Sequence, residues 1–187
     1  MSEQTTAVKL PTPGTYTVDP AHSEVGFVAR HLIGSKVRGR FTKFEGTIVI
    51  ADPIEHSSVE AQAEAASIET GVQMRDDHMR TNDFLDASNF PTLSLESTGL
   101  TKVTDTEWKL AADLTIRGVT KSVVFDVEYH GSGPGTQPGS EVLALSASTE
   151  IDRRDFGVSF SGVLEGGAIV VGNRVRIELE VEAGRQG

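Results

Sequence analysis

Cysteine is absent from the 187 residues. That excludes disulfides, thiolate nucleophiles and cysteine-ligated metals. Aromatic residues are scarce, at 6% of the chain against 37% hydrophobic residues in all. A core must therefore be assembled from Val, Ile, Leu and Ala rather than from stacked rings. No apolar run approaches the roughly 20 residues of a membrane span, and the opening MSEQTTAVKLPTPG contains no apolar stretch of signal-peptide length. Basic runs are lacking too. A net charge of −10 with a pI near 4.9 makes a nucleic-acid backbone or an anionic membrane surface a poor partner. These absences predict a cytoplasmic protein with no nucleic-acid partner and no stable membrane insertion.

Catalytic signatures are missing as well. There is no G-x-S-x-G, and Gly162, Gly166 and Gly167 form no phosphate-binding loop. His22, His31, His56, His78 and His130 show neither H-x-H nor H-x-x-x-H spacing, so no metal set and no cofactor is expected. The adjacency of His22 and Ser23 counts for little, because neighbours in a strand point to opposite faces.

What is present is period-two alternation over most of the chain. Residues 1–13, polar and interrupted by Pro11 and Pro13, read as a flexible tail. From Gly14, Tyr16 and Val18 share a face, then Val25, Phe27, Ala29 and His31. Val37, Gly39 and Phe41 follow. A phase slip at Thr42-Lys43 then shifts the pattern to Phe44, Gly46, Ile48 and Ile50, as at a bulge or a tight bend. Later strands alternate at Trp108, Leu110, Ala112, Leu114 and Ile116, at Val123, Phe125, Val127 and Tyr129, over Val142–Ile151, and at Val175, Ile177, Leu179 and Val181. Eight to ten strands joined mostly by hairpins favour an all-β antiparallel barrel over a βαβ fold. The domain spans residues 14–183, with a C-terminal tail at 184–187.

The stretch Val59–Phe90 organises the functional reading. Its strand puts Val59, Ala61, Ala63, Ala65 and Ser67 on one face and Ser58, Glu60, Gln62 and Glu64 on the other. The charged face must be outside, which leaves an inner wall made largely of methyl groups. In a barrel of about eight strands such a wall leaves room for a ligand, unless Phe27, Phe41, Phe44 or Phe125 fills it. Thr70-x-x-Gln73 then has the spacing of a capping box for a short helix to about Arg80, carrying Arg75, Asp76, Asp77 and His78. The polar set Arg75, His78 and Arg117 with His22 and His31 is a candidate for a ligand head group. The competing reading is an ion-pair network with Asp19, Asp76 and Asp113.

Several stretches, taken in order, resemble the YceI-like family. They are Tyr16-Thr17-Val18-Asp19-x-x-His22-Ser23-x-Val25-x-Phe27; Val37-x-Gly39-x-Phe41-x-x-Phe44-x-Gly46; Ser67-Ile68-x-Thr70; Arg75-Asp76-x-His78-Met79; Asp113-Leu114-Thr115-Ile116-Arg117-Gly118; Arg154-Asp155-Phe156-Gly157; and Val171-Gly172-Asn173-x-Val175. The resemblance implies an extended lipocalin-like barrel with a long hydrophobic cavity. It also implies binding of polyisoprenoid or similar lipids, such as isoprenoid quinones or prenyl pyrophosphates, with a homodimer among its expected states. An apolar tail would then lie along Val25, Phe27, Ala61, Ala63, Ala65, Leu93, Leu114 and Phe125. The head group would sit near some of His22, His31, Arg75 and His78. Two rivals stand beside this binding reading. One is an enzyme acting on a small apolar substrate with His78 and Asp76 as its acid–base pair. The other is an empty barrel serving as a stress-response interaction module.

Overall fold

The computed structural model describes residues 8–31, 34–162 and 171–187. Among the described residues there are eleven strands: β1 (Gly14–Val18), β2 (Glu24–His31), β3 (Ser35–Phe41), β4 (Phe44–Ile50), β5 (Ser58–Glu64), β6 (Ile68–Glu69), β7 (Thr92–Lys102), β8 (Glu107–Ile116), β9 (Val119–Pro134), β10 (Glu141–Asp152) and β11 (Val171–Arg185). The α-helix among the described residues is α1 (Gln73–Met79).

Every pairing is antiparallel, and the sheet closes where β1 meets β11. The eleven strands make an eight-walled barrel because three walls are each broken in two. β1 and β2 share one edge of β11, Val18 opposite Ala183 and Glu24 opposite Glu180. β4 and β3 follow on β1 and β2, and β5 and β6 on β4 and β3. The break between β1 and β2 stays tied to the wall, because Asp19 N–H donates to the Glu182 carbonyl at 2.8 Å and the Ser23 hydroxyl accepts from Glu182 N–H at 3.0 Å. The phase slip at Thr42-Lys43 is the corresponding corner between β3 and β4. There Thr42 N–H donates to Ser67 O and Glu64 N–H to Lys43 O.

Two expectations need correction here. The alanine-lined strand was expected to run to Ser67 but stops at Glu64, and Ala65–Ser67 forms a 3-10 turn. The capping box does not form. The helix N-cap is Val72, which has no side-chain cap. Instead the Asp76 carboxylate reaches back to accept from Thr70 N–H at 2.8 Å and from the Thr70 hydroxyl at 2.5 Å.

Because β6 is only two residues long, the wall ends early. The excursion from Thr70 to Pro91 occupies the barrel end beside it. It is anchored by Ala65 N–H donating to Pro91 O, and by Arg117, whose guanidinium donates to Asn82 O at 2.6 Å and Phe84 O at 2.9 Å. Arg117 and Gly118 both have positive φ, 50° and 72°, as a two-residue hairpin turn between β8 and β9 requires.

At the opposite end, residues from Val8 to Pro13 lie across the barrel and are held there. Tyr129 Oη donates to Lys9 O at 2.8 Å, Tyr16 Oη donates to Thr12 O at 2.8 Å, and Thr12 N–H donates to Glu141 Oε1 at 3.0 Å. Of the expected tail, residues 1–7 lie outside the described residues. At the other terminus, β11 runs on to Arg185, which sits opposite Tyr16.

The buried side chains form a continuous interior in three sections. Phe41, Ile68, Phe84, Ile116 and Phe156 pack at the helix end. Leu110, Phe125 and Ala147 occupy the middle. Tyr16, Ile48, Trp108, Tyr129 and Leu143 pack at the strap end.

Candidate functional site

The interior is hollow. An apolar cavity of about 330 Å³ runs inside the barrel, at the small end of the ~300–1,000 Å³ range of small-molecule sites. Its lining extends from Pro11 and Ile54 at the strap end to Ile116, Ile151 and Phe156 at the helix end. On β10 alone the lining spans Leu143 to Ile151, about 27 Å of strand at ~3.4 Å per residue. With a strand tilt of about 40° this is about 20 Å along the axis. That volume spread over that length is a narrow tunnel.

The tunnel exists because small and large side chains alternate around it. Ala61 and Ala63 on β5 present methyl groups inward opposite Leu93 and Leu95 of the next wall. Their strand neighbours Glu60, Gln62 and Glu64 are exposed. Phe27, Phe41, Phe44 and Phe125 line the same space and narrow it without closing it. Phe27 needs a glycine across from it: a Cβ on Gly39 would stand 2.2 Å from the Phe27 ring.

Seven of the residues expected along an apolar tail converge on this tunnel: Val25, Phe27, Ala61, Ala63, Leu93, Leu114 and Phe125. Ala65 does not line it. It is buried at 1% exposure in the 3-10 turn and packs into the helix-end core.

The expected polar set is not brought together. His22 is on the outside at the β1–β2 break, where its Nδ1 is 2.6 Å from Asp19 Oδ2. That contact raises the His22 pKa and lowers that of Asp19. His31 ends β2. Arg75 donates to the Thr70 hydroxyl at 2.7 Å and the Thr70 carbonyl at 2.9 Å. His78 Nε2 lies 2.8 Å from Asp83 Oδ2, and its ring packs edge-on against Phe84 and Phe160. None of these four lines the cavity. The acid–base pair of the enzyme reading is likewise separated, since Asp76 is engaged by Thr70 and His78 by Asp83.

Sequence reasoning missed three groups that do reach the tunnel. Arg153 follows β10 and is buried at 5% exposure. Phe156 and Val158 close the helix end around it, and Trp108 and Tyr129 floor the strap end. The aromatic positions were legible as inward members of alternating strands. Arg153 was not, because nothing in Asp152-Arg153-Arg154 says which arginine turns inward.

Comparison with known proteins agrees with this architecture. The YceI-like domain family matches residues 16–183. The chain belongs to that family. A UPF0312 protein of Staphylococcus aureus is 34% identical over 169 residues, covering 89% of this chain and 95% of its own. Among solved structures, a Campylobacter jejuni YceI protein superimposes with a TM-score of 0.74 at 27% identity, over 84% of this chain and 90% of that one. A polyisoprenoid binding domain from Saccharophagus degradans superimposes with a TM-score of 0.67 at 13% identity, over 94% of this chain and all of that domain. It shares the fold.

Proposed function

We propose that this YceI-like barrel binds one long-chain amphiphilic lipid, of the polyisoprenoid class, as a store or carrier. The observation that carries the reading is the continuous apolar tunnel walled by Ala61, Ala63, Leu95, Leu114 and Ile177. Burying each CH2 of a chain there contributes about 0.8 kcal/mol before ordering costs, so a long tail binds with few polar contacts. The polyisoprenoid binding domain with the same fold supports the choice of lipid. Asp76 is engaged by Thr70 and His78 by Asp83, which counts against the acid–base pair of the catalytic alternative.

Native mass spectrometry of the purified protein is expected to reveal a co-purified lipid, or stoichiometric uptake of an added prenyl lipid after extraction. A clean protein mass with no uptake would sink the reading. Ala63→Trp, which projects an indole into the tunnel, is expected to weaken uptake at least tenfold while the far-ultraviolet spectrum stays that of the wild-type barrel.

A further inference from the structure

The tunnel is apolar along its walls and different at its two ends. Four charged residues contribute to its lining: Glu24, Glu45, Glu180 and Arg153. The three glutamates are exposed and lie on the outward phase of their strands, between inward neighbours such as Val25, Phe44 and Leu179. Arg153 alone is buried.

Its guanidinium meets only neutral acceptors among the described residues. Nε donates to Gly172 O at 3.0 Å and Nη1 to Val158 O at 2.8 Å, while Nη2 reaches Val171 O at 3.4 Å and Asn173 Oδ1 at 3.2 Å. Those four contacts leave one of the five guanidinium hydrogens, on Nη1, unpartnered among the described residues. Nearby acids are taken. Asp152 is held by Arg154 at 2.6 Å and Glu150 by Arg174 at 2.6 Å. A buried charge is ordinarily paired, and no ion pair with Arg153 forms among the described residues. The strap end, by contrast, is built of Tyr16, Trp108, Tyr129 and Leu143, and the two tyrosine hydroxyls are already spent on backbone carbonyls.

We infer that Arg153 gives the tunnel a direction and a preference: the ligand lies with an anionic oxygen head group, carboxylate or phosphate, at the Arg153 end and its apolar terminus toward Trp108. This rests on the lipid-binding reading and adds the charge of the head group, the end it occupies and the residue that selects it. The four contacts hold the guanidinium in place, so a buried, fixed positive charge with one spare hydrogen stands on the tunnel lining.

The test uses one farnesyl tail with four heads: farnesyl monophosphate, farnesoic acid, farnesol and farnesene. Affinities are measured on the full-length lipid-free protein. The two anions are expected to bind about tenfold or more tighter than the alcohol and hydrocarbon, the factor supplied by one charge-assisted hydrogen bond. Which anion is tighter distinguishes a phosphate head from a carboxylate. In Arg153→Gln the preference, read as the ratio of anion to farnesene affinity within the same folded variant, is expected to vanish. Should that variant fail to fold, Arg153→Lys, which keeps the charge and loses the planar fork, is expected to shift the 31P resonance of bound farnesyl monophosphate and reduce the preference. Equal affinity for all four heads in the wild type overturns the inference and leaves lipid binding standing. So does a preference that survives in folded Arg153→Gln. Failure of every probe to bind overturns the lipid-binding reading itself, and the inference with it.

Discussion

Tyr16 has no exposed surface, yet its hydroxyl reaches a backbone carbonyl of the strap at 2.8 Å. Tyr16→Phe keeps the ring packing and removes that bond. The expected cost is about 1 kcal/mol, read as a lower denaturant midpoint with an unchanged slope. The same residue predicts alkaline behaviour. Burial, with the nearby Glu141 carboxylate, pushes the Tyr16 pKa to about 12, above the ordinary tyrosine value of about 10. A group whose pKa is raised on folding contributes stability that is complete below the unfolded value and lost as pH rises through the folded one. Stability should therefore fall between about pH 10 and 12, and Tyr16→Phe should flatten that part of the curve. A melting temperature in the wild type that is level across this range would contradict it. At this scale the sequence was least legible. Arg75 and Arg117 looked available for an anion, and each, like the overlooked Arg153, is bound largely to carbonyl or hydroxyl oxygens of its own chain. Such partners leave no pattern in a sequence, because every residue carries a carbonyl.

The β2–β3 pair shows how an element encodes its own curvature. Phe27 sits opposite Gly39 and its ring covers the space a side chain would occupy. Gly39→Ala is expected to destabilise by about 1–3 kcal/mol through overpacking. Combining it with Phe27→Leu should cost less than the sum of the single changes, a coupling that a double-mutant cycle by chemical denaturation measures directly. Additive costs would mean that the two positions do not meet. Elements were where the sequence spoke most clearly. The alternation of Trp108, Leu110, Ala112, Leu114 and Ile116 survives as five buried positions in β8, because a wall with one wet and one apolar face has to keep period two. Ala65 departed from its expected place because Ala65-Ala66-Ser67 carries no glycine or proline to announce a turn. The turn is instead imposed by contacts distant in sequence, Ser67 O with Thr42 and Ala65 N–H with Pro91.

Closure is a property of the whole molecule. The barrel shuts through Tyr16, Thr17 and Val18 against Arg185, Gly184 and Ala183, residues from opposite ends of the chain. Deleting residues 182–187 removes this seam and exposes the edges of β1 and of the upper part of β10. The truncated chain is expected to lose cooperative thermal unfolding and to aggregate. A cooperative, monodisperse truncation product would show that closure is dispensable. The closed barrel was legible in the count and length of the alternating segments, and the hollow in the methyl-lined face of β5. The corner between β3 and β4 was legible as the phase slip at Thr42-Lys43, whereas the break between β5 and β6 was not, since it depends on pairing with β4 and β3 across that corner. The strap carries a consequence of a different kind. Tyr16 and Tyr129 grip it through main-chain carbonyls, so most of its tether is indifferent to which side chains it carries. The side chains that bear on the barrel are Pro11, buried against the tunnel, Leu10 on its lining and Val8 on the strap-end core. This end of the barrel is thus an exchangeable part, where another segment of like backbone path can be spliced in without redesigning the walls that hold it.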